Sequence, residues 1–439
     1  MGRGSAALAA AHLPAFAHVA VPMPASSDPL RLLRAFPSNR RFLFQQPATG
    51  TAIAGVGATI SLRARGQRRF AELAAALADI TDGEPLPPGV VAVGGFAFDA
   101  NARDAGPWRG FAALEWTVPQ LTLVRRDGHA RLVAAGPPGT TPAALASLLD
   151  RARAALDVAE PGTVPVPSYH ALGSESAAWR RAVEATLEDI AAGRLEKLVL
   201  ARTCGVRGVT PFDPWRVTAR LRRAYPGCTT FAVANGGATF VGATPERLAR
   251  VAGSRLETTA LAGTSPRGTT PRADRALALA LRASAKERTE HALVVGDVKS
   301  RLAPLCDELA APPEPGVVTT ETLQHLRTPI RGRLRAGAGL LDAVALLHPT
   351  AAICGAPREA AAAVLVSRER LARGWYGGGV GWLDRTGGEV VVAIRTALLC
   401  GTHALLHAGA GIVAGSAWEA ELEETRLKMR PLLAALLEI

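Results

Sequence analysis

Four lysines stand against 46 arginines in this chain, so where a solvated positive charge is enough the sequence uses arginine. A retained lysine is therefore a candidate for chemistry that a guanidinium cannot do. Arginine keeps its proton in a protein, whereas an ammonium in a dry pocket can lose one and act as a base. Lys197, in the stretch EKLVLART (196–203), is the first of the four; Lys286, Lys299 and Lys428 follow. Near the end of the chain, Glu421, Glu424 and Lys428 sit at i, i+3 and i+7 and so share one helical stripe. Alone, that stripe reads as a solvated face with an i,i+4 ion pair and acids near a positive helix terminus. A second segment, SAKERTEHALVV (284–295), offers Glu287 and Glu290 at i and i+3. Ser284 with Glu287 makes a capping box, which gives Glu287 a structural job and leaves Glu290 without one. Two helices of this kind can converge on a hard cation such as Mg²⁺, which takes oxygen ligands from one or two carboxylates.

Three glycine-rich stretches lie beside strand-like sequence: LAGTSPRG (261–268), WYGGGVG (375–381) and HAGAGIV (407–413). Glycine in a strand marks a bulge or a close backbone approach, and sheet curvature is the competing explanation. None matches a nucleotide-binding loop. HAGAGIV, shortly before a helix, could aim backbone N–H groups at a carboxylate. Arg395, in VVVAIRTALL, falls inside an otherwise apolar strand and needs an anionic partner, either a bound carboxylate or a structural salt bridge. His325 and His348, taken alone, read as satisfied core residues. Neither has the paired spacing of a zinc site, and no G-x-S-x-G elbow marks a serine hydrolase.

The elements that must carry these residues come next. Trp179, Val183, Leu187 and Ile190 recur at helical spacing after a Ser176 cap, and Gly193 ends that helix. EKLVLART then reads as a strand with Lys197, Val199 and Ala201 on one face. RTGG (385–388) marks a hairpin between GGGVGWLD and EVVVAIRTALL. Ser416 and Glu419 are a second capping box, opening a last helix with Trp418, Leu422, Met429, Leu433 and Leu436 on its apolar stripe. Residues 1 to about 160 carry short alternating runs such as VVAVGGFAF (90–98) and QLTLVRR (120–126), which predict mostly antiparallel sheet. Residues 157–176 are proline-rich and polar and read as a connector.

Composition bounds the class. At 439 residues, 48% hydrophobic and 20% charged, the chain is long and apolar enough for a large folded core. A net charge of +12 invites a nucleic-acid reading, but the arginines are dispersed and aromatics are 5%, so neither an electrostatic stripe nor a stacking platform is present. A basic surface suits a small dianionic substrate equally well. The five cysteines are scattered without C-x-x-C, as expected for reduced thiols in a cytosol. The lead-in MGRGSAALAAAHLPAFAHVAVP is interrupted by His12, Pro14 and His18, so it reads as a ragged approach to a first strand and not as a signal peptide. No 18-residue apolar run is free of charges and breakers, so a cytoplasmic protein without a membrane span is expected.

Nine motifs in order over residues 197–428 then carry a resemblance: KLVLAR, GATPERL, ETTALAGTSPRG, KERTEH, LQHL, HPTAAICGAPR, WYGGGVGW, AIRTALL and GAGIV…ELEETRLK. Together they resemble the chorismate-utilising enzymes, most closely the isochorismate synthases of the menaquinone or siderophore branch. Residues 1–170 match only loosely, through GGFAFD (94–99). The resemblance implies an α+β fold: a single large unit of residues 1–439 with two antiparallel β-sheets packed face to face and helices outside. It implies Mg²⁺ held by Glu290 and Glu424, with Glu421 behind them or binding through water. It implies that Arg395, Lys428 and the backbone of Gly409, Ala410 and Gly411 take the substrate's carboxylates. Gly263, Thr264, His325, Thr350 and Tyr376 complete the substrate-binding set on the same ground. Lys197 would be the general base that activates water, and Glu246, in the T-P-E-R-L motif, the general acid for the departing C4 hydroxyl. That chemistry needs Lys197 neutral and Glu246 protonated, and burial moves each in the required direction. Lys286 and Lys299 are left as solvated helix residues. Chorismate is the expected partner, with a monomer, no glutaminase subunit, no nucleic acid and no membrane.

Rivals are separated by particular positions. Aminodeoxychorismate synthases of the usual bacterial type carry a lysine where this chain has Ala262, and anthranilate synthases lack the lysine at position 197. Salicylate synthase shares the lysine and the metal site and then eliminates pyruvate; it is the alternative function. A basic nucleic-acid-binding protein, which salt-sensitive DNA retention would reveal, and a non-catalytic chorismate binder are the rivals from other classes.

Overall fold

A computed structural model describes residues 16–156, 169–172, 176–320, 323–369 and 371–437. The ragged lead-in up to residue 15 and residues 157–168 of the expected connector lie outside the described residues. Alternation along the strands explains the layering. Phe42 and Phe44, Phe231 and Val233, and Phe240 and Leu398 point to one side of their sheet, where they meet Val380, Trp382 and Val391 from a second sheet. The intervening residues Leu43, Ala232, Ala234, Val241, Ala397 and Leu399 point to the other side, under helices Pro29–Ala35, Pro142–Leu156, Pro214–Ala224 and Trp418–Leu437. On the second sheet, Val390 and Val392 face away from the interface and pack with Val294, Val298 and Leu302 of helix Ala285–Leu302. Period-two patterning thus yields two antiparallel sheets face to face with helices outside.

The larger sheet has twelve strands. Its order is Ala17–Met23, His129–Gly136, Leu121–Arg126, Thr51–Val56, Arg41–Gln46, Thr229–Asn235, Ala238–Thr244, Thr396–Cys400, His403–Ile412, Lys197–Gly208 and Gly355–Ala356. Tyr169–Leu172, read from sequence as part of a connector, is the twelfth strand and pairs with Lys197–Gly208. The second sheet has ten strands, with Arg255–Pro266, Arg247–Ala252, Gly387–Val392, Gly379–Asp384, Ala92–Phe96 and Leu114–Val118 consecutive in it. Strands from the first 140 residues lie in both sheets, Arg41–Gln46 pairing with Thr229–Asn235 in the larger and Ala92–Phe96 with Gly379–Asp384 in the second, and the chain is one interleaved domain.

Two local expectations need correction. VVVAIRTALL is not one strand. Gly387–Val392 ends in the second sheet, Thr396–Cys400 begins in the larger one, and Arg395 stands at the crossing with φ +53°. Both halves are buried, so the sequence shows no break, yet a left-handed backbone at a non-glycine residue ends the ladder. Ser416 does not pair with Glu419. Its hydroxyl accepts from the Val413 N–H at 3.2 Å and donates to the Glu421 carboxylate, which draws it into the site described below. The RTGG hairpin, the Lys197 strand and helix Ser176–Ala191 are found where the sequence puts them. Gly193, with φ +70°, follows that helix.

Candidate active site

One cavity of about 730 Å³, part of it open to solvent, is bordered by both sheets and both acidic helices. Its walls include Glu246, Gly263, Thr264, Glu290, His325, Tyr376, Arg395, Gly409, Gly411, Glu424 and Lys428, eleven of the positions expected from the sequence. Lys197 lies just behind the wall. It opens strand Lys197–Gly208, only 1% of its side chain is exposed, and its Nζ donates to Glu290 Oε1 at 2.8 Å. An ion pair of buried Arg373 with Glu369 braces that strand. Arg373 donates to the carbonyls of Val199 and Ile353, at 2.6 and 2.9 Å, and Glu369 accepts from the Ala201 N–H at 2.7 Å.

Glycine is required at position 411. A Cβ there would lie 2.6 Å from Glu290 Oε1 and 2.9 Å from Lys197 Cε, so HAGAGIV lets the backbone close against the ion pair. Gly411→Ala is expected to lower kcat by about 10²-fold through displacement of that pair. Steady-state kinetics beside a melting curve checks this, and unchanged turnover would show the close approach to be incidental.

Glu246 is buried on the loop between strands Ala238–Thr244 and Arg247–Ala252. Burial raises its carboxyl to about 7, against the lowering pull of Lys197, Lys428 and Arg395. An acid group held so close to neutrality can keep and deliver a proton. Arg395 Nη2 donates to His325 Nε2 at 2.6 Å, while His325 Nδ1 faces Thr264 Oγ1 at 3.2 Å. An imidazole accepting from a guanidinium is neutral, and burial, then Arg395 and Lys428, hold His325 well below its usual pKa. Arg395 Nη1 is buried with no hydrogen-bond partner, a donor left over for a bound oxyanion. Lys428 Nζ donates to Glu424 at 2.5 Å and to the Gly409 carbonyl at 3.0 Å.

Some expected residues are placed otherwise. Thr350 is buried but off the cavity wall, where its carbonyl accepts from Ile353 and Cys354; Ala352 and Ile353 line the wall in its place. Ala410 alternates away from the cavity into the cluster with Leu198, Leu200 and Leu422. Glu421 also lies off the cavity wall, is 2% exposed, and is bound by Lys286 Nζ at 2.9 Å. Lys286 is therefore not a solvated helix residue. Glu287 does more than close a capping box. Ser284 Oγ accepts from the Glu287 N–H, but the Glu287 carboxylate turns to the Thr264 N–H at 2.9 Å. Burial and the charge of Glu290 raise the Glu287 pKa, and burial and Glu424 raise that of Glu421. Glu290 is the exception: burial alone would raise its pKa, but Lys197, Lys428 and Lys286 together outweigh it and the pKa is lowered. His407, unremarked in the sequence beyond opening HAGAGIV, lines the cavity, stacks on Tyr376 with ring centroids 5.2 Å apart, and is held neutral by burial with a pKa of about 3.

The donor set is a group of carboxylate oxygens under mutual repulsion, the chemistry a hard divalent cation neutralises. Among the described residues no three His, Cys, Asp or Glu side chains are already drawn together around a common point; each of Glu290, Glu421 and Glu424 holds a lysine. A concave site lined by the cationic donors Arg395 and Lys428 and by the buried acid Glu246 fits a small polyanionic substrate.

Residues 5–437 match the model of the chorismate binding enzyme family, and the chain belongs to that family of enzymes. It is similar to the salicylate biosynthesis isochorismate synthase of Pseudomonas aeruginosa, 36% identical over 93% of this chain and 88% of the relative. Isochorismate synthase MenF of Bacillus subtilis is 34% identical over 79% of this chain and 75% of its own. The solved menaquinone-specific isochorismate synthase of Escherichia coli superposes with a TM-score of 0.80 at 27% identity, covering 97% of this chain and 95% of that one.

Proposed function

We propose that the protein is an isochorismate synthase, adding water at C2 of chorismate with loss of the C4 hydroxyl. The observation that carries this reading is the retained Lys197 beside a buried Glu246 whose carboxyl titrates near 7. Lys197, in the uncharged form that this step requires, takes a proton from water as its oxygen bonds to C2. The ring double bonds shift, and the C4–O bond breaks as Glu246 gives its proton to the departing hydroxyl, which leaves as water. One water enters and one leaves, so the product is an isomer of the substrate. Arg395, through its free Nη1, and Lys428 hold carboxylates, while the neutral His325 fixes the Arg395 fork. Mg²⁺, when bound, would supply neutralising charge for a substrate carboxylate. Glu290 and Glu424 would hold it, with Glu421 behind them through water.

The relatives whose names specify isochorismate synthesis support this activity. We further read the protein as a cytoplasmic monomer acting on chorismate without a glutaminase subunit. No helix among the described residues is long and apolar enough to cross a membrane.

The test is to incubate the protein with chorismate, with Mg²⁺ or with chelator, and to separate the products. Magnesium-dependent isochorismate without pyruvate is expected. Salicylate with stoichiometric pyruvate would replace this reading with a salicylate synthase, and no turnover would remove it. Glu290→Gln and Glu424→Gln are each expected to raise the Mg²⁺ concentration for half-maximal turnover by at least about 10–100-fold. A metal titration identical to the parent's would remove the ligand assignment.

A further inference from the structure

Three of the four lysines stand on three carboxylates of one site. Lys197 holds Glu290 at 2.8 Å, Lys286 holds Glu421 at 2.9 Å and Lys428 holds Glu424 at 2.5 Å. Lys299 is the fourth, and it is exposed. Lys197 and Lys428 have roles in the proposed reaction; Lys286 has none. It projects from the first turn of helix Ala285–Leu302 to the helix Trp418–Leu437, across 135 positions of sequence, and its Nζ also lies 3.7 Å from Glu287.

The environment of Lys286 differs from that of Lys197. Its side chain is 35% exposed, against 1% for Lys197, so its ammonium has a path to water. Glu421, 2% exposed and close enough to feel the charge of Glu424, cannot stay ionised cheaply without a cation beside it. An arginine would grip it with a rigid planar fork. An ammonium is a compact charge on a flexible four-carbon stem, which releases readily. In a chain of 46 arginines the choice of lysine here is the informative one.

We propose that Lys286 is an exchangeable counter-ion: it neutralises Glu421 while no metal is bound and gives it up when a divalent cation enters. The inference rests on the magnesium reading above. A dication arriving among Glu290, Glu424 and Glu421 repels the ammonium at close range, and the exposed side chain swings into solvent. Lys286 then sets metal affinity by competition, without touching substrate.

Two measurements on the full chain test this, both made without substrate. In the parent protein, acylation of surface amines is followed residue by residue by peptide mass spectrometry, with and without Mg²⁺. Lys286 is expected to label several-fold faster once Mg²⁺ is bound, while Lys299, as internal standard, does not change. Calorimetric titration with Mg²⁺ alone is expected to show about tenfold tighter binding to Lys286→Met than to the parent. Should that variant fail to fold, Lys286→Gln serves, and the labelling needs no variant. If Mg²⁺ binds the parent but Lys286 labelling does not rise, or affinity is unchanged on substitution, the exchange is wrong and the metal site stands. If Mg²⁺ does not bind the parent at all, the magnesium reading and the exchange fall together.

Discussion

Lys197→Ala is expected to lower kcat for isochorismate formation by about 10²–10⁴-fold, the range for loss of a general base. The fold should survive, because Lys428 and Lys286 still act on the Glu290 carboxylate that Lys197 leaves behind. Single-turnover assays beside circular dichroism separate the two effects. Lys197→Arg is the sharper test: it keeps the charge on Glu290 but cannot shed a proton, and it should be nearly as inactive as alanine. Substantial activity in the arginine variant would show that the ammonium only positions Glu290, and the base would have to be sought elsewhere.

Glu246→Gln should cost a similar 10²–10⁴-fold in turnover, because the amide has the carboxyl's shape but no proton to give. Its effect on stability runs the other way. Burial raises the carboxyl from its ordinary 4.5 to about 7, so the folded state binds this proton more tightly than the unfolded chain does. The contribution is fully present below pH 4.5 and is lost as pH rises through about 7, by about 3 kcal/mol. Glutamine has no such term. The variant is therefore expected to match the parent near pH 4.5 and to be the more stable protein above pH 8. Denaturation curves for both proteins across that range decide it, and parallel pH dependences would mean that Glu246 ionises like an exposed carboxylate.

What the sequence made legible was local or periodic. The Lys197 face of its strand, the Ser284 cap, the RTGG hairpin and the i, i+3 carboxylates follow from spacing alone, and the structure contains each. Of the site residues that the resemblance named, eleven line one cavity, Lys197 lies just behind its wall, and Thr350, Ala410 and Glu421 lie off it. What stayed hidden depends on proximity between distant segments. That Lys286 meets Glu421 and that Glu287 meets Thr264 cannot be read from either helix, because both contacts cross between elements. The change of sheet at Arg395 was hidden for another reason: both flanking segments are buried, so hydrophobicity is continuous across it. Ser416 was misread because S-x-x-E fits a capping box with Glu419, whereas the partner of its hydroxyl is Glu421, two residues further on.

The crossing at Arg395 also bears on how the protein is made. The strand before it completes one sheet and the strand after it sits inside the other, so the nascent chain cannot finish the first layer and then start the second. Lys197 and Glu246 leave the ribosome well before the helix that carries Glu424 and Lys428. Until that helix docks, the early carboxylates and the part of the larger sheet's outer face that it packs on, with Ala397, Leu406 and Ala408, have no cover. A chain that must wait for its last helix is exposed to aggregation during synthesis, so slow elongation or a chaperone that holds the unfinished sheets should raise the yield of folded enzyme.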